Sequence, residues 1–420
     1  MTNNKHEAVR ERIKNQYEKF PYPDGEKDFS APLKQGILEG CPKHHFDWYW
    51  PTVKKTEKLN ILVAGCGTGT VAKMAVHVPK ANLIGIDISD ESLKRSKKLL
   101  KHNKIKNVRL MNMPIEDVHK LGMKFDLVQC TGVLHHLASP DEGLSALKGV
   151  LKDSGSMYLM VYAAYGRNAI YIMQDFFRRA GISVDNLDDQ GIDHIRTLLQ
   201  SAPPDSAVSL QRQIFKNYDL DPIEIVDLFL NPQDRPYTLP DIHSWLERNG
   251  LVMQKLINRA LYAPRCSNLA KQPIYENIAK LPEQEQLIIG ELYRSSIFMH
   301  TFIACSDSRP RSSWEISFEG DNWKKLIPIK QFMIQKQPGS SSSNAIERWR
   351  LDLHQSADIF LDFDEQMLCL ANEIDDSSTL HEIYQKVASD NPYGIELEYF
   401  IRFFSLLYDY DYIWFRKQKS

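Results

Sequence analysis

The sequence predicts an α/β fold, a largely parallel sheet whose strands alternate with helices that cover both of its faces. Two observations lead to this prediction. Between residues 59 and 130, short apolar runs rich in β-formers alternate with longer amphipathic segments, the pattern of strands joined by crossover helices. These runs are apolar throughout instead of alternating with polar residues, as expected of strands buried on both faces. The chain is therefore expected to return through a helix to each new strand.

Seven strands are predicted along the chain. Their positions are 59–64, 82–87, 108–112, 125–130, 156–163, 251–258 and 297–306. The helix after the second strand begins at Ser89, which can cap it, and its acids come early and its lysines late, as the helix dipole favours. A further helix is predicted over 140–155, because this segment begins with proline and acids and because Gly155 can end it.

Changes in this pattern divide the chain into four parts. Residues 1–57 form an N-terminal cap segment, and residues 58–306 form the main domain. Helical patterns without strands fill residues 165–237, which predicts a helical lid inserted into that domain. A linker region is expected over 307–345, because it contains the low-complexity run PGSSSSN at residues 338–344. Residues 346–420 are expected to form a small, mainly α-helical unit.

Composition narrows the class of protein. The chain has 52 Lys and Arg against 54 Asp and Glu, a net charge of -2 that gives no global attraction to nucleic acid or to an acidic membrane. The N-terminus is charged and no long apolar run occurs, so we expect a soluble, cytoplasmic protein without membrane partners. The six cysteines are scattered, with no CxxC pair and no zinc-like histidine spacing, so no metal site is predicted.

A glycine-rich turn, LVAGCGTGT at residues 62–70, follows the first strand. Such a turn lets a ligand approach the main chain closely. The P-loop pattern GxxxxGK[ST] is absent, and a dinucleotide pattern GxGxxG would need glycine where Thr70 stands. The spacing is instead Gly65-x-Gly67-x-Gly69. Asp87 ends the second strand 20 residues after Gly67, where an acid can accept hydrogen bonds from ribose hydroxyls.

This turn resembles the first motif of the class I S-adenosylmethionine-dependent methyltransferases, whose Rossmann-like fold has a seven-stranded sheet. The resemblance covers residues 58–162 and extends more loosely to 306. It implies that S-adenosylmethionine (SAM) is the cofactor and that the three glycines lie against its methionine and ribose. It also implies that Asp87 holds the ribose, with Ile88 beside it.

The resemblance assigns residues to both ends of SAM. The segment IEDV after the third strand corresponds to the family's adenine contacts, so Glu116 or Asp117 is expected to receive the exocyclic amine. Many members place an acid two positions before the first glycine, where this chain has Val63. The ammonium group of the methionine end would then be held by backbone carbonyls near Gly65 and Cys130.

Two further elements are similar to those of a bacterial subgroup. One is a YxxxPYP-like element at residues 17–23, and the other is a VYAxYGR segment at 161–167. Tyr17 and Tyr22 are expected either to close over the SAM site or to pack as part of a rigid turn. The last 75 residues, 346–420, resemble the winged-helix appendage of some members.

Methyl transfer from a sulfonium is an in-line displacement, which depends on alignment of the reacting atoms and exclusion of water. A general base is needed only where the acceptor must lose a proton. His135 and His136 follow the fourth strand and are the candidates for that base, with structural packing as the alternative. Tyr162 and Tyr165 are predicted to line the acceptor pocket, Tyr165 with a catalytic role. Arg167 either binds an anionic group of the acceptor or makes a surface ion pair.

These features predict a methyltransferase that acts on a small-molecule acceptor. Near-neutral charge and a long helical lid favour such an acceptor. One alternative is a protein or RNA methyltransferase in which the C-terminal unit presents the macromolecule. Another is a non-catalytic SAM-binding regulatory or scaffold protein, with Val63 as a mark of lost chemistry.

Overall fold

The computed structural model describes residues 2–22, 38–214, 221–339, 344–351, 359–390 and 394–418. The chain divides into two compact units, and each is described by itself. The first unit comprises Met1–His44, Thr56–Met253 and Ser296–Ser308, and the second comprises His45–Lys55, Gln254–Ser295 and Arg309–Ser420. The described part of the chain contains no helix that is both long and apolar enough to cross a membrane.

A seven-stranded mixed sheet confirms the predicted α/β fold. Its strands are β1 (Asn60–Ala64), β2 (Asn82–Asp87), β3 (Val108–Asn112), β4 (Phe125–Thr131), β5 (Leu151–Tyr162), β6 (Leu251–Leu256) and β7 (Met299–Ser306). They lie in the order β3-β2-β1-β4-β5-β7-β6. The pairs from β3 to β5 are parallel, and β5 with β7 is antiparallel. The chain order reverses between β1 and β4, and ligands of open α/β sheets bind beyond the carboxyl ends of strands at such a point.

Helices connect these strands and extend the chain at both ends. Those of the N-terminal half are α1 (Thr2–Lys19), α2 (Pro42–Tyr49), α3 (Thr70–His77), α4 (Asp90–His102) and α5 (Pro140–Gly149). Those of the lid region and beyond are α6 (Asn168–Arg179), α7 (Asp189–Gln200), α8 (Ala207–Ile214), α9 (Pro222–Phe229), α10 (Leu239–Arg248), α11 (Tyr275–Ile278) and α12 (Glu283–Arg294). Ser89 caps α4 as predicted, since its side chain accepts a hydrogen bond from the backbone N–H of Ser92.

The helix predicted over 140–155 is wrong at its C-terminal end. The helix ends at Gly149, and β5 begins two residues later at Leu151. The backbone N–H of Phe125 donates to the carbonyl of Val150 at 2.8 Å, and Leu151 pairs with Phe125 across the sheet. Pairing with β4 therefore starts a strand where the local pattern favoured a helix, and Gly155 lies inside that strand.

Helices α6 to α9 form the lid that was predicted over 165–237; residues 215–220 lie outside the described residues. The lid has its own core, built around Ile170, Phe177 and Phe229. Both of its ends meet at the end of β5, where the N–H of Tyr237 donates to the carbonyl of Tyr162 and the N–H of Ala164 donates to that of Tyr237. The lid is therefore a folded subdomain anchored beside the carboxyl edge of the sheet.

The second unit contains more strand than predicted. Its remaining elements are β8 (Leu326–Lys330), β9 (Ile334–Pro338), β10 (Glu347–Leu351), β11 (Leu361–Phe363), β12 (Ile413–Lys417), α13 (Glu365–Asn372), α14 (Leu380–Asp390) and α15 (Leu397–Asp409). The segment expected to be a linker, 307–345, holds β8 and β9. Strand β8 pairs with β12, about 90 residues further along, and local sequence patterns do not reveal such distant pairing. The middle of the serine run, 340–343, and residues 23–37 of the cap segment lie outside the described residues.

We expect substitution of Gly166, in the VYAxYGR segment, to destabilise the first unit. A Cβ atom built on Gly166 would lie 2.1 Å from the carbonyl oxygen of Ile297. Gly166→Ala should therefore lower the free energy of unfolding by roughly 1–3 kcal/mol, the usual cost of overpacking. Gly149→Ala is the control, because no atom lies within 4 Å of its Cβ position. Equal urea midpoints for the two variants, followed by circular dichroism, would contradict this expectation.

Candidate functional site

The glycine turn leaves the main chain bare at the reversal point of the sheet. Gly65 and Gly67 have positive φ angles of 66° and 55°, in the left-handed region that favours glycine. A Cβ atom on Gly65 would lie 2.3 Å from Cγ2 of Val133. Gly69 has a different role, because it caps α3 and a side chain there would meet Leu99 at 3.0 Å. The first two glycines serve the turn itself, and the third serves the packing of its helix.

Asp87 holds this turn in place. Its Oδ2 accepts a hydrogen bond from the backbone N–H of Gly67 at 2.8 Å, and its Oδ1 accepts one from that of Ser89 at 2.9 Å. The hydroxyl of Ser96 on α4 donates to the carbonyl of Gly67 at 2.8 Å. Burial raises the pKa of the Asp87 carboxyl, while the backbone donors oppose that shift. The carboxylate thus joins the ends of β1 and β2 at the reversal point.

A cavity of about 310 Å³ opens beside this turn, within the size range of ligand pockets. Its lining comes from the ends of β1, β2, β4 and β5 and from α1. The residues are Arg10, Ile13, Tyr17, Tyr22, Gly65, Gly67, Thr70, Asp87, Ile88, Ser92, Met113, Pro114, Ile115, Glu116, Thr131, Gly132, Val133, His136, Leu137, Ala138, Met160 and Tyr162. Of the residues predicted from the sequence, Gly69, Asp117, Cys130, His135 and Tyr165 are outside this lining.

Glu116 and Asp117, the two adenine candidates, have different surroundings. Glu116 lines the cavity, and its Oε2 is buried without a hydrogen-bond partner among the described residues. Asp117 instead forms an ion pair with Lys120, 2.8 Å between the charged atoms. Of the two acids, only Glu116 offers a free acceptor to a molecule in the cavity.

Helix α1 closes one side of the cavity. The Glu18 carboxylate accepts hydrogen bonds from the backbone N–H groups of Asp90 and Glu91, at 2.6 and 3.2 Å, and so caps α4. The carbonyl of Tyr17 accepts one from the hydroxyl of Ser89 at 3.2 Å. Negative charge at the N-terminus of a helix is favourable, so these contacts hold α1 against α4. Tyr17 and Tyr22 both line the cavity. Pro23 of the same motif lies outside the described residues.

Asp227 on α9 joins the cap, the lid and the sheet. Its carboxylate accepts hydrogen bonds from the hydroxyls of Tyr17, at 3.1 Å, and Tyr162, at 3.3 Å. Burial raises the pKa of Asp227. The segment IVDLFL at residues 225–230 places this acid within an otherwise apolar helical stretch, a sequence signal of a buried charge. Asp227 was not among the predicted site residues.

The two histidines after β4 differ in what they can do. His136 lines the cavity, and its Nδ1 lies 2.7 Å from the carbonyl oxygen of Gln233. A carbonyl can only accept, so Nδ1 carries the proton and Nε2 keeps a lone pair. No described residue hydrogen-bonds to that Nε2. His135 is fully buried with its ring 4.0 Å from that of Tyr162, and burial lowers its pKa well below the ordinary value.

Arg167 forms an ion pair, but in the interior of the protein and not at its surface. It is fully buried, its guanidinium lies 3.4 Å from the centre of the Tyr162 ring, and it forms an ion pair with Asp234 at 3.5 Å. The prediction of an ion pair at the surface is therefore wrong. Arg167 is also not among the residues that line the cavity. Tyr165 is 39% exposed and does not line the cavity either. Cys130 is fully buried, and its neighbour Thr131 reaches the cavity in its place.

The raised pKa of Asp227 predicts a pH-dependent stability. Protonation of this carboxyl favours the folded state, so its contribution is complete below the ordinary value of 3.8 and is lost as the pH rises through the raised folded value. Asp227→Asn cannot ionise, so its thermal midpoint should rise relative to that of the unchanged protein through this window. Asp153→Asn, at an exposed position, is the control. Parallel pH curves for Asp227→Asn and the unchanged protein would contradict the prediction.

Comparisons with known proteins agree with this geometry. A family model described as a methyltransferase domain matches residues 62–157, from β1 into β5. An uncharacterized protein of Synechococcus is 24% identical over 347 residues, 79% of each chain. A tRNA U34 carboxymethyltransferase of Actinobacillus succinogenes is 27% identical over 220 residues, 49% of this chain and 65% of that enzyme.

A similar solved structure is PKMT2 from Rickettsia typhi in complex with AdoHcy. It has a TM-score of 0.62 at 15% identity and covers 95% of this chain and 78% of that one. Likeness at this identity shows the fold alone. The family-model match lies on a sheet of this order, with its glycine turn and Asp87 at the reversal point, and it identifies residues 62–157 as a methyltransferase domain.

Proposed function

We propose that this protein methylates a small molecule through an O–H or N–H group that is presented in the cavity beside His136. The observation that carries the proposal is that a bare glycine turn, an adjacent carboxylate and an unpartnered imidazole nitrogen all reach one cavity. The glycine turn and the carboxylate provide a surface and a hydrogen-bond acceptor for a nucleoside donor. The imidazole nitrogen provides a base for an acceptor that must lose a proton.

The residues present fit SAM. Gly65 and Gly67 line the cavity without side chains, so the methionine and ribose can lie against the main chain there, and Asp87 lies at the edge where ribose hydroxyls need an acceptor. The unpartnered Oε2 of Glu116 is suited to an exocyclic amine, which only donates hydrogen bonds. When bound, SAM supplies a methyl group activated by its sulfonium. These four residues are the proposed cofactor contacts, with Ile88 beside Asp87.

The rest of the cavity serves orientation and exclusion of water. Tyr17, Tyr22 and Tyr162 line it, and α1 closes over it through the contacts of Glu18. Alignment of two reacting groups can supply roughly 7–11 kcal/mol of a barrier, so a cavity that holds donor and acceptor in line can account for much of the rate. The sequence prediction of a base narrows to His136, because His135 does not line the cavity.

A small acceptor suits these dimensions. The cavity of about 310 Å³ has to hold the donor and the reacting end of the acceptor together. The chain as a whole, at a net charge of -2, does not attract polyanions. Any recognition of a macromolecule would have to come from a local patch.

RNA is the second candidate acceptor. The observation that favours it is the similarity of about half the chain to an enzyme named tRNA U34 carboxymethyltransferase. An RNA would have to present a single extruded nucleotide to a cavity of this size, as enzymes that act on bases require.

Replacement of Asp87 tests the cofactor site. Asp87→Ala should weaken the binding of S-adenosylhomocysteine, measured by calorimetry, by about 1.5–3 kcal/mol, the scale of a hydrogen bond to a charged group. Asp87→Asn, which keeps an acceptor for the Gly67 N–H, should weaken it less. Asp153→Ala, at an exposed acid, should bind as the unchanged protein does. Equal affinities for all four proteins would remove Asp87 from the site.

A labelling experiment separates the acceptor classes. The protein is incubated with methyl-tritiated SAM and a bacterial extract, which is then divided into small-molecule, RNA and protein fractions. We expect the label in the small-molecule fraction, and less of it with Asp87→Ala. Label that enters RNA and disappears after ribonuclease treatment would replace the proposed acceptor with the second candidate.

A further inference from the structure

We propose that His135, His136 and Asp234 bind a divalent transition-metal ion at the acceptor side of the cavity. One donor atom from each residue lies within 4.8 Å of the other two. Asp234 follows the lid helix α9, about 100 positions after the two histidines, so the fold brings together what the sequence separates. The site's catalytic role rests on the methyl-transfer function proposed above, but its existence does not.

Two of the three side chains, those of His136 and Asp234, have one polar atom in a hydrogen bond and a second polar atom without a partner among the described residues. His136 donates its Nδ1 proton to the carbonyl of Gln233, which leaves Nε2 free. Asp234 accepts a hydrogen bond on Oδ2 from the side-chain amide of Gln174 at 3.2 Å, which leaves Oδ1 free. Metal-binding histidines and carboxylates are held in this way by outer partners that orient the free atom toward the ion.

His135 supplies the second, independent observation. Its side chain is fully buried, and neither ring nitrogen has a hydrogen-bond partner among the described residues. Its carbonyl accepts the backbone N–H of Arg235 at 3.1 Å, which ties the histidine pair to the segment that carries Asp234. A buried polar atom without a partner costs about 1–3 kcal/mol. A bound ion would remove that cost for all three side chains together.

The donor set indicates the class of ion. Two imidazoles and one carboxylate are the ligands of catalytic zinc sites and of non-haem iron(II) sites, which keep coordination positions open. Magnesium and calcium prefer oxygen ligands. His136 is the member that lines the cavity, so the open positions would be accessible from the acceptor's side.

Local charge is compatible with a cation. The positive charge of the Arg167 guanidinium, 3.5 Å from Oδ2 of Asp234, would repel a bound cation. The carboxylates of Asp227 and Asp234 offset this positive charge, since both interact electrostatically with Arg167. Arg167 therefore acts as an outer partner of the Asp234 ligand.

With its Nε2 bound to the ion, His136 would no longer act as the base proposed above, and the ion would take over that role by making an acceptor hydroxyl more acidic. The O–H bond breaks and its proton leaves to solvent, while the oxygen keeps the electron pair. That pair forms the new O–C bond to the methyl group as the methyl–sulfur pair stays on the sulfur. S-adenosylhomocysteine, the methyl ether and a proton are then the products, and no oxidant or reductant is consumed.

The test is a titration of the full-length protein with Co²⁺, which reports imidazole and carboxylate ligands by visible absorption. The unchanged protein should bind Co²⁺, and Asp234→Asn and His136→Gln should each lose at least about tenfold in affinity. Gln174→Ala leaves all three ligands in place and should lose affinity by roughly 10- to 100-fold, as removal of an outer partner does. The Gln174→Ala variant still reports on the site if Asp234→Asn or His136→Gln fails to fold.

His44→Gln is the matched control. His44 and His77 form another imidazole pair in the first unit, 3.4 Å apart, away from the proposed ligands. Loss of Co²⁺ binding in this variant, or no binding by the unchanged protein, overturns the proposal. Calorimetry with S-adenosylhomocysteine runs in parallel. Nucleoside binding without Co²⁺ binding rejects the ion and keeps the methyl-transfer function, and the reverse result keeps the ion site and rejects that function.

Discussion

The hydrogen bond from the Gly67 N–H to the Asp87 carboxylate is the interaction on which the site depends. It ties the turn after β1 to the end of β2, at the point where strand order reverses. The positive φ angles of Gly65 and Gly67 keep side chains away from that turn. The other walls of the cavity are then built around a stretch of bare main chain whose position is set by one buried acid.

Closure of the cavity depends on a second buried acid. Asp227 accepts hydrogen bonds from the hydroxyls of Tyr17 on the cap helix and Tyr162 on the sheet. The cap, the lid and the sheet therefore meet at one carboxylate. Burial of a carboxylate is unfavourable unless its oxygens are hydrogen-bonded. The same contacts that satisfy Asp227 therefore require α1 and α9 to be in place. The walls of the cavity that Tyr17 and Tyr162 form therefore depend on the folding of the lid.

Local signals predicted the side of the cavity with the glycine turn, and contacts between distant segments built the side with the histidines. β2 and β3 have the predicted bounds, and Asp87 was predictable because its place follows from the turn and the next strand. Asp227 and Asp234 were not predicted, because they reach the cavity region only through the folded lid. The strands of the second unit were missed for a similar reason, since β8 and β12 pair across the unit. Strand pairing also ended the predicted helix at Gly149.

The two sides of the cavity also differ in how well their polar groups are satisfied. Beside the glycine turn, both oxygens of Asp87 are hydrogen-bonded to the main chain, and the Oε2 of Glu116 is the atom left without a partner among the described residues. On the other side, His135, His136 and Asp234 together have four buried atoms that no described residue satisfies. At about 1–3 kcal/mol for each atom, the cost of these four atoms is comparable to the net stability of a domain. Under the proposed function, the donor would meet a carboxylate that the main chain already holds, whereas the acceptor's side would need the further partner that we propose.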